Sequence, residues 1–510
     1  MARNGRRKGI AISYIYTILN TILGLFMSAY IIRMMGQTEY GVYQTMTSFA
    51  TYLALFQFGT GSIMTRNISL CKKDSSEYEL YKKNTSTIWT VAVIQVMIIV
   101  VISLLFYQMI DTIYQKSMTS EEISYGKLLF LIVVVKLILT FLIQVLNGII
   151  LGCEHYSMSS VVQLIFLIVR TVLVAVLLTL RPFAIYLVLI DSLLTLMMFG
   201  YTCFYCKKHL LASFSIKYFD KKIFMDAMPL AVALFMQSII NMANGNVDKF
   251  AIGVLMSPEA VSVYSIGMFI YSTFSSLTTI PISMYMPKVA SDMRDGKRGD
   301  ELTKTLIQPC RLIFLIGGTV LFGFLTIGRQ FINIVYGNDY REAWTIAIVV
   351  MVPMLINMSN GVLVNVLDIL NKRIIRSLFL LITTLGNIIL TVLWIKSWGM
   401  VGAAVATAIC TFIGQDILLN IYYDRVINIK IGYLFRETMR GILFCLVTAS
   451  IISYLAICRV SSQYVQFFLG GIVFCIAMIT QMLGFGANEE EKKMIIALKN
   501  KLKNKMKIMV

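Results

Sequence analysis

The sequence predicts an all-α polytopic membrane protein with about 14 transmembrane helices. Its 510 residues are 58% hydrophobic and only 14% charged, whereas ordinary soluble domains carry roughly 25% charged residues. Apolar stretches long enough to cross a hydrocarbon core about 30 Å thick recur almost without pause. The segments between them are too short to bury an aqueous core. These observations exclude a soluble enzyme and a nucleic-acid-binding protein.

The distribution of basic residues predicts the orientation in the membrane. The chain has 45 Lys+Arg against 26 Asp+Glu, and the basic residues concentrate in alternate segments between the predicted spans when the N-terminus is placed in the cytoplasm. The first span follows Arg3, Arg6, Arg7 and Lys8; it is longer than the apolar region of a signal peptide and no small-residue cleavage site follows it. We therefore expect a retained first helix and two cytoplasmic termini.

Internal repetition predicts two similar lobes. Ser13, Thr17, Asn20 and Gly24 in the first span lie at positions i, i+4, i+7 and i+11, which is one face of a helix. The same spacing recurs in the seventh span at Gln237, Asn241, Asn244 and Asp248. Each of these spans is followed by a similar short acidic and tyrosine-containing turn. Helices one to six and seven to twelve are therefore predicted to be related by an axis along the membrane normal.

The repeat and the charge pattern together predict the domain boundaries. The segment between the lobes mixes lysines with aromatic residues, as interfacial segments do, and the C-terminal tail alternates lysines with apolar residues, which favours contact with anionic membrane lipids. The predicted parts are an N-lobe at 1–210, an interfacial linker at 211–226, a C-lobe at 227–430, two further helices at 431–487, and a basic amphipathic cytoplasmic tail at 488–510.

Charges deep within the predicted spans are the candidates for a polar lumen. Lys136 and Arg170 lie too far from the membrane surface to reach it easily, so each is expected either to face a central cavity or to form a structural salt bridge, such as Arg170 with Asp191. Between Asp248 and Lys249, which lie about 100° apart on a helix, Asp248 continues the polar face. The other candidates are Asn20, Asp191, Gln237, Asn241, Asn244, Lys249 and Asp416.

Short motifs rich in glycine and apolar residues recur along the chain, at 39–43, 58–61, 257–264, 370–372, 386–387 and 398–407. They resemble the motifs of the Wzx-like polysaccharide flippases of the multidrug/oligosaccharidyl-lipid/polysaccharide exporter superfamily. The resemblance extends over essentially all the predicted spans. Membership implies two six-helix bundles in a V that alternates between inward-open and outward-open, with two peripheral helices.

The resemblance also implies a function. It implies translocation of undecaprenyl-diphosphate-linked oligosaccharides across the bacterial plasma membrane, for capsule, O-antigen or exopolysaccharide synthesis. A polysaccharide polymerase and glycosyltransferases of the same pathway are the implied partners. Such a cargo requires cations for its phosphates and hydrogen-bonding groups for its sugars, which agrees with Lys136 and Arg170.

Two other functions remain open from the sequence. A cation-coupled multidrug exporter could use the same fold, although an acidic and aromatic cavity would suit its cargo better. An intramembrane glycan polymerase is disfavoured by the short external loops. No enzymatic activity, cofactor or metal site is expected, and no nucleotide-binding loop appears. Energy would come from an H⁺ or Na⁺ gradient, the membrane potential or the substrate's own gradient.

Overall fold

The computed structural model describes residues 2–71, 78–370, 372–488 and 491. Within these ranges, side chains are not described at 2–11, 13–15, 18, 156, 240–241, 243–245, 280–281, 283–284 and 373–374. The described chain is almost entirely helical and contains no β-strand. Its α-helices are α1 (Ala2–Met35), α2 (Gln37–Thr51), α3 (Thr60–Leu70), α4 (Tyr78–Tyr114), α5 (Ser120–Gly152), α6 (Tyr156–Leu180), α7 (Ala184–His209), α8 (Lys221–Leu255), α9 (Pro258–Arg294), α10 (Gly299–Val335), α11 (Glu342–Ser359), α12 (Gly361–Ile369), α13 (Arg373–Thr411), α14 (Leu419–Ile427), α15 (Ile431–Met439), α16 (Ile442–Ile457) and α17 (Gln463–Gln481).

The helices confirm a multi-pass membrane protein. Among the described residues, 10 helices are long and apolar enough to cross a membrane, or up to 12 if each bent pair is one span. The longest candidate, Ile375–Ile427, has 53 residues, which at 1.5 Å per residue is about 80 Å and too long for a single crossing. The count of about 14 helices stays a prediction.

The chain forms two compact units, Met1–Ser265 and Ile266–Val510. In the first unit, α5 packs against α3 and α7, and α6 packs against α1. In the second unit, α10 packs against α11, α16 and α17, and α11 packs against α13. The candidate site described below lies within the first unit.

Glycines of two motifs occupy breaks in the helices. Gly59 follows α2 and has a φ of +66°, and a Cβ there would lie 2.5 Å from Leu234 Cδ1. Gly399 has a φ of 58° and divides α13 into two arms. A Cβ on Gly402 would lie 2.3 Å from the Trp394 carbonyl oxygen. Glycine is favoured at Gly59 and Gly399 because a positive φ strains any other residue. At Gly402 the close approach of the backbone leaves no room for a side chain.

The segment between α7 and α8 is fixed to the start of α4. Thr87 Oγ1 accepts a hydrogen bond from Asp220 N at 2.9 Å, and Tyr81 Oη donates one to Leu210 O at 2.7 Å. Ser86 Oγ donates to Ser215 O. These hydrogen bonds connect backbone groups of the segment to side chains of α4, so the segment lies against the first turns of that helix. Its membrane-interface role stays a prediction.

Arg311 organises the C-terminal part of the second unit. Its side chain is 4% exposed and its guanidinium pairs with the Glu491 carboxylate, with Nε 2.9 Å from Oε1. It also donates hydrogen bonds to the backbone carbonyls of Glu437, Arg440 and Gly486. Arg311 therefore fixes the point from which the predicted tail at 488–510 continues; beyond 488 that tail lies outside the described residues, apart from residue 491.

Candidate functional site

The relative register of α5 and α7 sets the depth of the site. Three of the hydrogen bonds that join these helices link residues 60 positions apart. A constant separation means that the two helices run parallel and in register over their length. The donors are Ile185 N, Ser192 Oγ and Cys206 Sγ, and the acceptors are Tyr125 Oη, Ile132 O and Leu146 O.

Glu39, from the first of the sequence motifs, holds the beginning of this helix pair. Its carboxylate accepts a hydrogen bond from the Ala184 backbone N at 2.7 Å and another from the Tyr125 hydroxyl. Ala184 is the first residue of α7, where backbone N–H groups lack intrahelical partners and a carboxylate is favourable. The motif at 39–43 thus ties α2 to α5 and α7.

Lys136, Arg170 and Asp191 meet within this framework. The register places Asp191 level with Leu131, so Lys136 lies five residues farther along α5, about 7 Å at 1.5 Å per residue. Helical side chains lean toward the N-terminus, and the Lys136 side chain therefore reaches back to the level of Asp191. Its Nζ lies 2.6 Å from Asp191 Oδ2. From α6, Arg170 Nε lies 2.6 Å from Oδ1 and Nη2 lies 3.1 Å from Oδ2 of the same carboxylate.

The exposure of the three side chains decides what the cluster presents. The Asp191 side chain is 3% exposed, whereas those of Lys136 and Arg170 are 35% and 36% exposed. The cluster of two cations and one carboxylate has a formal charge of +1. The part of the cluster that is accessible from the cavity is cationic, because the carboxylate is buried. The structure thus combines the two sequence-based alternatives, because the cations are paired and also line a cavity.

The cavity has a volume of about 480 Å³. One end carries the two cations, and Asn20 of α1 is also part of the lining. Apolar side chains and neutral amides and hydroxyls from α1, α5, α6 and α7 form the rest of the lining. Its neutral polar members besides Asn20 are Tyr16, Thr140, Gln144, Asn147, Gln163 and Thr195.

The sequence reasoning missed most of these neutral polar residues, although a signal was present. Lys136, Thr140, Gln144 and Asn147 lie at i, i+4, i+8 and i+11, which is one helical face of α5. A charge in an apolar stretch is a strong sequence signal of a polar environment, whereas a single amide or hydroxyl is a weaker one.

Among the described side chains, those of Gln237, Asp248 and Lys249 do not line this cavity. Asp248 is 4% exposed and accepts a hydrogen bond from Tyr264 Oη at 2.7 Å. Gln237 and Lys249 are half-buried on α8. The side chains of Asn241 and Asn244 lie outside the described set. Their lumen roles stay predictions.

Asp416 belongs to the second unit. It lies in a π-helical segment, Phe412–Leu418, and is 7% exposed. Its carboxylate lies beside Asn357, and its backbone oxygen accepts a hydrogen bond from Asn420 Nδ2 at 2.7 Å. Its proposed contact with substrate is likewise untested by this geometry.

The family follows from a match over more than half of the chain. A family model described as "Polysaccharide biosynthesis protein" matches residues 7–293 of the 510 residues. The chain belongs to the polysaccharide biosynthesis protein family. This confirms the resemblance that the motifs predicted, and the family match includes every residue that lines the cavity.

One curated relative is similar to part of the chain at low sequence identity. The probable low-salt glycan biosynthesis flippase Agl15 of Haloferax volcanii is 24% identical over 188 residues, which are 36% of this chain and 39% of that protein. The chain therefore matches well under half of the length of this relative.

Solved structures show the fold. The lipid II flippase MurJ in an inward closed conformation superposes with a TM-score of 0.74 at 17% identity, covering 92% of this chain and 99% of that chain. An inward-facing multidrug resistance MATE family transporter gives a TM-score of 0.57 at 13% identity, covering 84% of this chain and 99% of that chain. The chain thus has the all-helical fold of these membrane transporters.

Proposed function

We propose that this protein is a flippase that translocates lipid-linked oligosaccharides, with undecaprenyl diphosphate as the lipid carrier, across the plasma membrane. The observation that carries the proposal is the pair of exposed cations above a buried carboxylate in a membrane-embedded cavity. A diphosphate is a multivalent anion that binds best through charge-assisted hydrogen bonds. Lys136 supplies ammonium donors for it, and Arg170 supplies the part of its guanidinium that does not face Asp191.

The neutral part of the cavity suits the saccharide. Gln144 and Asn147 of α5 and Gln163 of α6 offer both donors and acceptors, which is what sugar hydroxyls require. Lys136 and Asn147 are 11 residues apart, about 16 Å along the helix. The cations at one end of the cavity can therefore contact the diphosphate, while the amides farther along the cavity contact several sugar hydroxyls.

The same charges argue against the multidrug alternative. A cationic drug needs an uncompensated carboxylate or an aromatic cage, but Asp191 already contacts two cations and is 3% exposed. A cation entering the cavity would meet like charge first. The family membership and the name of the curated relative, a probable flippase of glycan biosynthesis, support glycan-lipid transport over drug export.

Within this proposal, the cavity opens alternately to the two sides of the membrane while the lipid tail stays in an apolar environment. Both termini lie in the cytoplasm. We further propose that transport is coupled to an H⁺ or Na⁺ gradient and that the linker and tail attach to anionic lipids. The transported saccharide serves capsule, O-antigen or exopolysaccharide synthesis, together with a polymerase and glycosyltransferases. Each of these rests on the sequence pattern and the resemblance.

Transport by the purified full chain in proteoliposomes tests the proposal. Undecaprenyl-diphosphate-linked saccharide and a cationic dye are compared under imposed H⁺ and Na⁺ gradients. Protein-dependent movement of the lipid-linked saccharide without movement of the dye is expected. Movement of the dye alone would leave the fold intact but refute the proposed cargo.

A further inference from the structure

An open apolar groove adjoins the cationic cavity. It has a volume of about 500 Å³ and lies along α6 and α7. Ser157 and the hydroxyl of Tyr201 are the polar members of its lining. The rest of the lining is apolar and consists of Met158, Val161, Val162, Ile165 and Phe166.

Phe166 belongs to both the groove and the cavity. Successive helical residues turn by 100°, so Phe166 lies between the groove face of α6, with Val161 and Ile165, and the cavity face, with Leu167 and Arg170. It is also one helical turn, about 6 Å, from Arg170. A molecule bound to the Arg170 guanidinium can therefore extend past the Phe166 ring into the groove.

The second wall of the groove repeats this arrangement. On α7, Asp191 and Met198 line the cavity, and Tyr201, three residues after Met198, lines the groove. On both helices the groove residues thus lie on the same side of the charged residues, within a few helical turns of them. The side chains of Ile165 and Tyr201 are 53% and 48% exposed, so the groove is accessible without movement of the helix core.

We infer that this groove binds the polyprenyl tail of the lipid-linked saccharide while its diphosphate contacts Lys136 and Arg170. The inference rests on the proposed function and specifies where the lipid part of the cargo lies. The complementarity is twofold: an anionic diphosphate faces cations, and an apolar chain attached to it faces apolar side chains. A polyprenyl diphosphate has both parts covalently joined, in the order that the cavity and the groove present them.

Bulky substitutions that fill the groove test the inference. Ile165→Trp and Val161→Trp replace side chains that are 53% and 37% exposed, so neither overpacks the core. Val172→Trp is the matched control, because it lies seven residues from Ile165 on the same face of α6, is 55% exposed and lines neither the groove nor the cavity. Each variant is prepared as the full chain in nanodiscs.

Binding is measured with undecaprenyl diphosphate and, separately, with inorganic diphosphate. We expect both groove variants to bind undecaprenyl diphosphate about tenfold more weakly than the wild type and inorganic diphosphate equally well. The Val172→Trp control should bind both probes as the wild type does. Lys136→Gln should weaken the binding of both probes.

The outcomes separate the inference from the proposed function. If the groove variants bind undecaprenyl diphosphate as tightly as the wild type while Lys136→Gln binds it weakly, the tail lies elsewhere and only the inference is overturned. If Lys136→Gln also binds it as the wild type does, the cationic cavity is not the diphosphate site. The proposed function and the inference then fail together.

Discussion

Replacing Asp191 by Asn is expected to strengthen the binding of diphosphate. The carboxylate contacts both Lys136 and Arg170 at 2.6 Å and neutralises one of the two positive charges. Asn is nearly isosteric with Asp and keeps one oxygen acceptor. The substitution therefore raises the formal charge of the cluster from +1 to +2 while it preserves its shape.

The magnitude follows from the geometry of the cluster. A phosphate oxygen about 2.8 Å from the Lys136 ammonium, on the side away from Asp191, lies about 5 Å from the carboxylate. Repulsion between two unit charges at that distance is about 0.8 kcal/mol in bulk water and about 3 kcal/mol at an effective dielectric of about 20. Since the cations are a third exposed, the lower value applies, and about fourfold tighter binding is expected.

Titration of the full chain with inorganic diphosphate by calorimetry measures this effect. Lys136→Gln should act in the opposite direction and weaken binding about tenfold, because it removes one charge-assisted hydrogen bond. Asp111→Asn is the matched control: Asp111 pairs with Lys127 and does not line the cavity. A loss of affinity in Asp191→Asn similar to that in Lys136→Gln would show that the cluster is a structural ion pair and refute the reasoning.

Three further predictions concern stability, measured by thermal unfolding of the full chain in detergent. Arg311→Ala should lower the free energy of unfolding by about 3–5 kcal/mol, because it removes the counter-ion of the buried Glu491 carboxylate and the hydrogen bonds to three backbone carbonyls. A melting temperature equal to that of the wild type would contradict the role of Arg311. Gly41→Ala should greatly reduce the amount of folded protein, since its Cβ would lie 2.0 Å from the Pro258 backbone oxygen. Gly200→Ala is the control and should be neutral, because a Cβ at that position has open space. Equal amounts of folded protein for the two variants would disprove the close approach at Gly41. Tyr264→Phe should cost about 1–3 kcal/mol by removing the hydrogen bond to the buried Asp248, and an unchanged melting temperature would argue that this bond contributes nothing.

The membrane fold and its deep charges could be predicted from the sequence because each has a local signal. An apolar stretch of sufficient length indicates a helix that crosses the membrane, and a charge within it indicates a cavity or a partner. Lys136 and Arg170 were found in this way. The family motifs were also recognisable, although their structural reasons, such as Glu39 holding the start of α7, appear only in the fold.

The pairing within the cluster could not be predicted with the same certainty. It depends on the register of α5 against α7, a separation of 60 positions that no local pattern specifies. The sequence offered Arg170 with Asp191 as one alternative but did not bring Lys136 to the same carboxylate. The hydrogen bond from Tyr264 of the following helix to the Asp248 carboxylate is a second contact that no local pattern specifies, and the lumen role of Asp248 stays a prediction.

Transport of undecaprenyl-diphosphate-linked saccharide by proteoliposomes containing Lys136→Ala or Arg170→Ala tests the central claim most directly. Both side chains line the cavity and contact Asp191, so we expect each variant to insert and fold in the membrane at wild-type levels and to lose transport. Full transport by both variants, at equal amounts of folded protein, would contradict the claim that the two cations bind the diphosphate during transport.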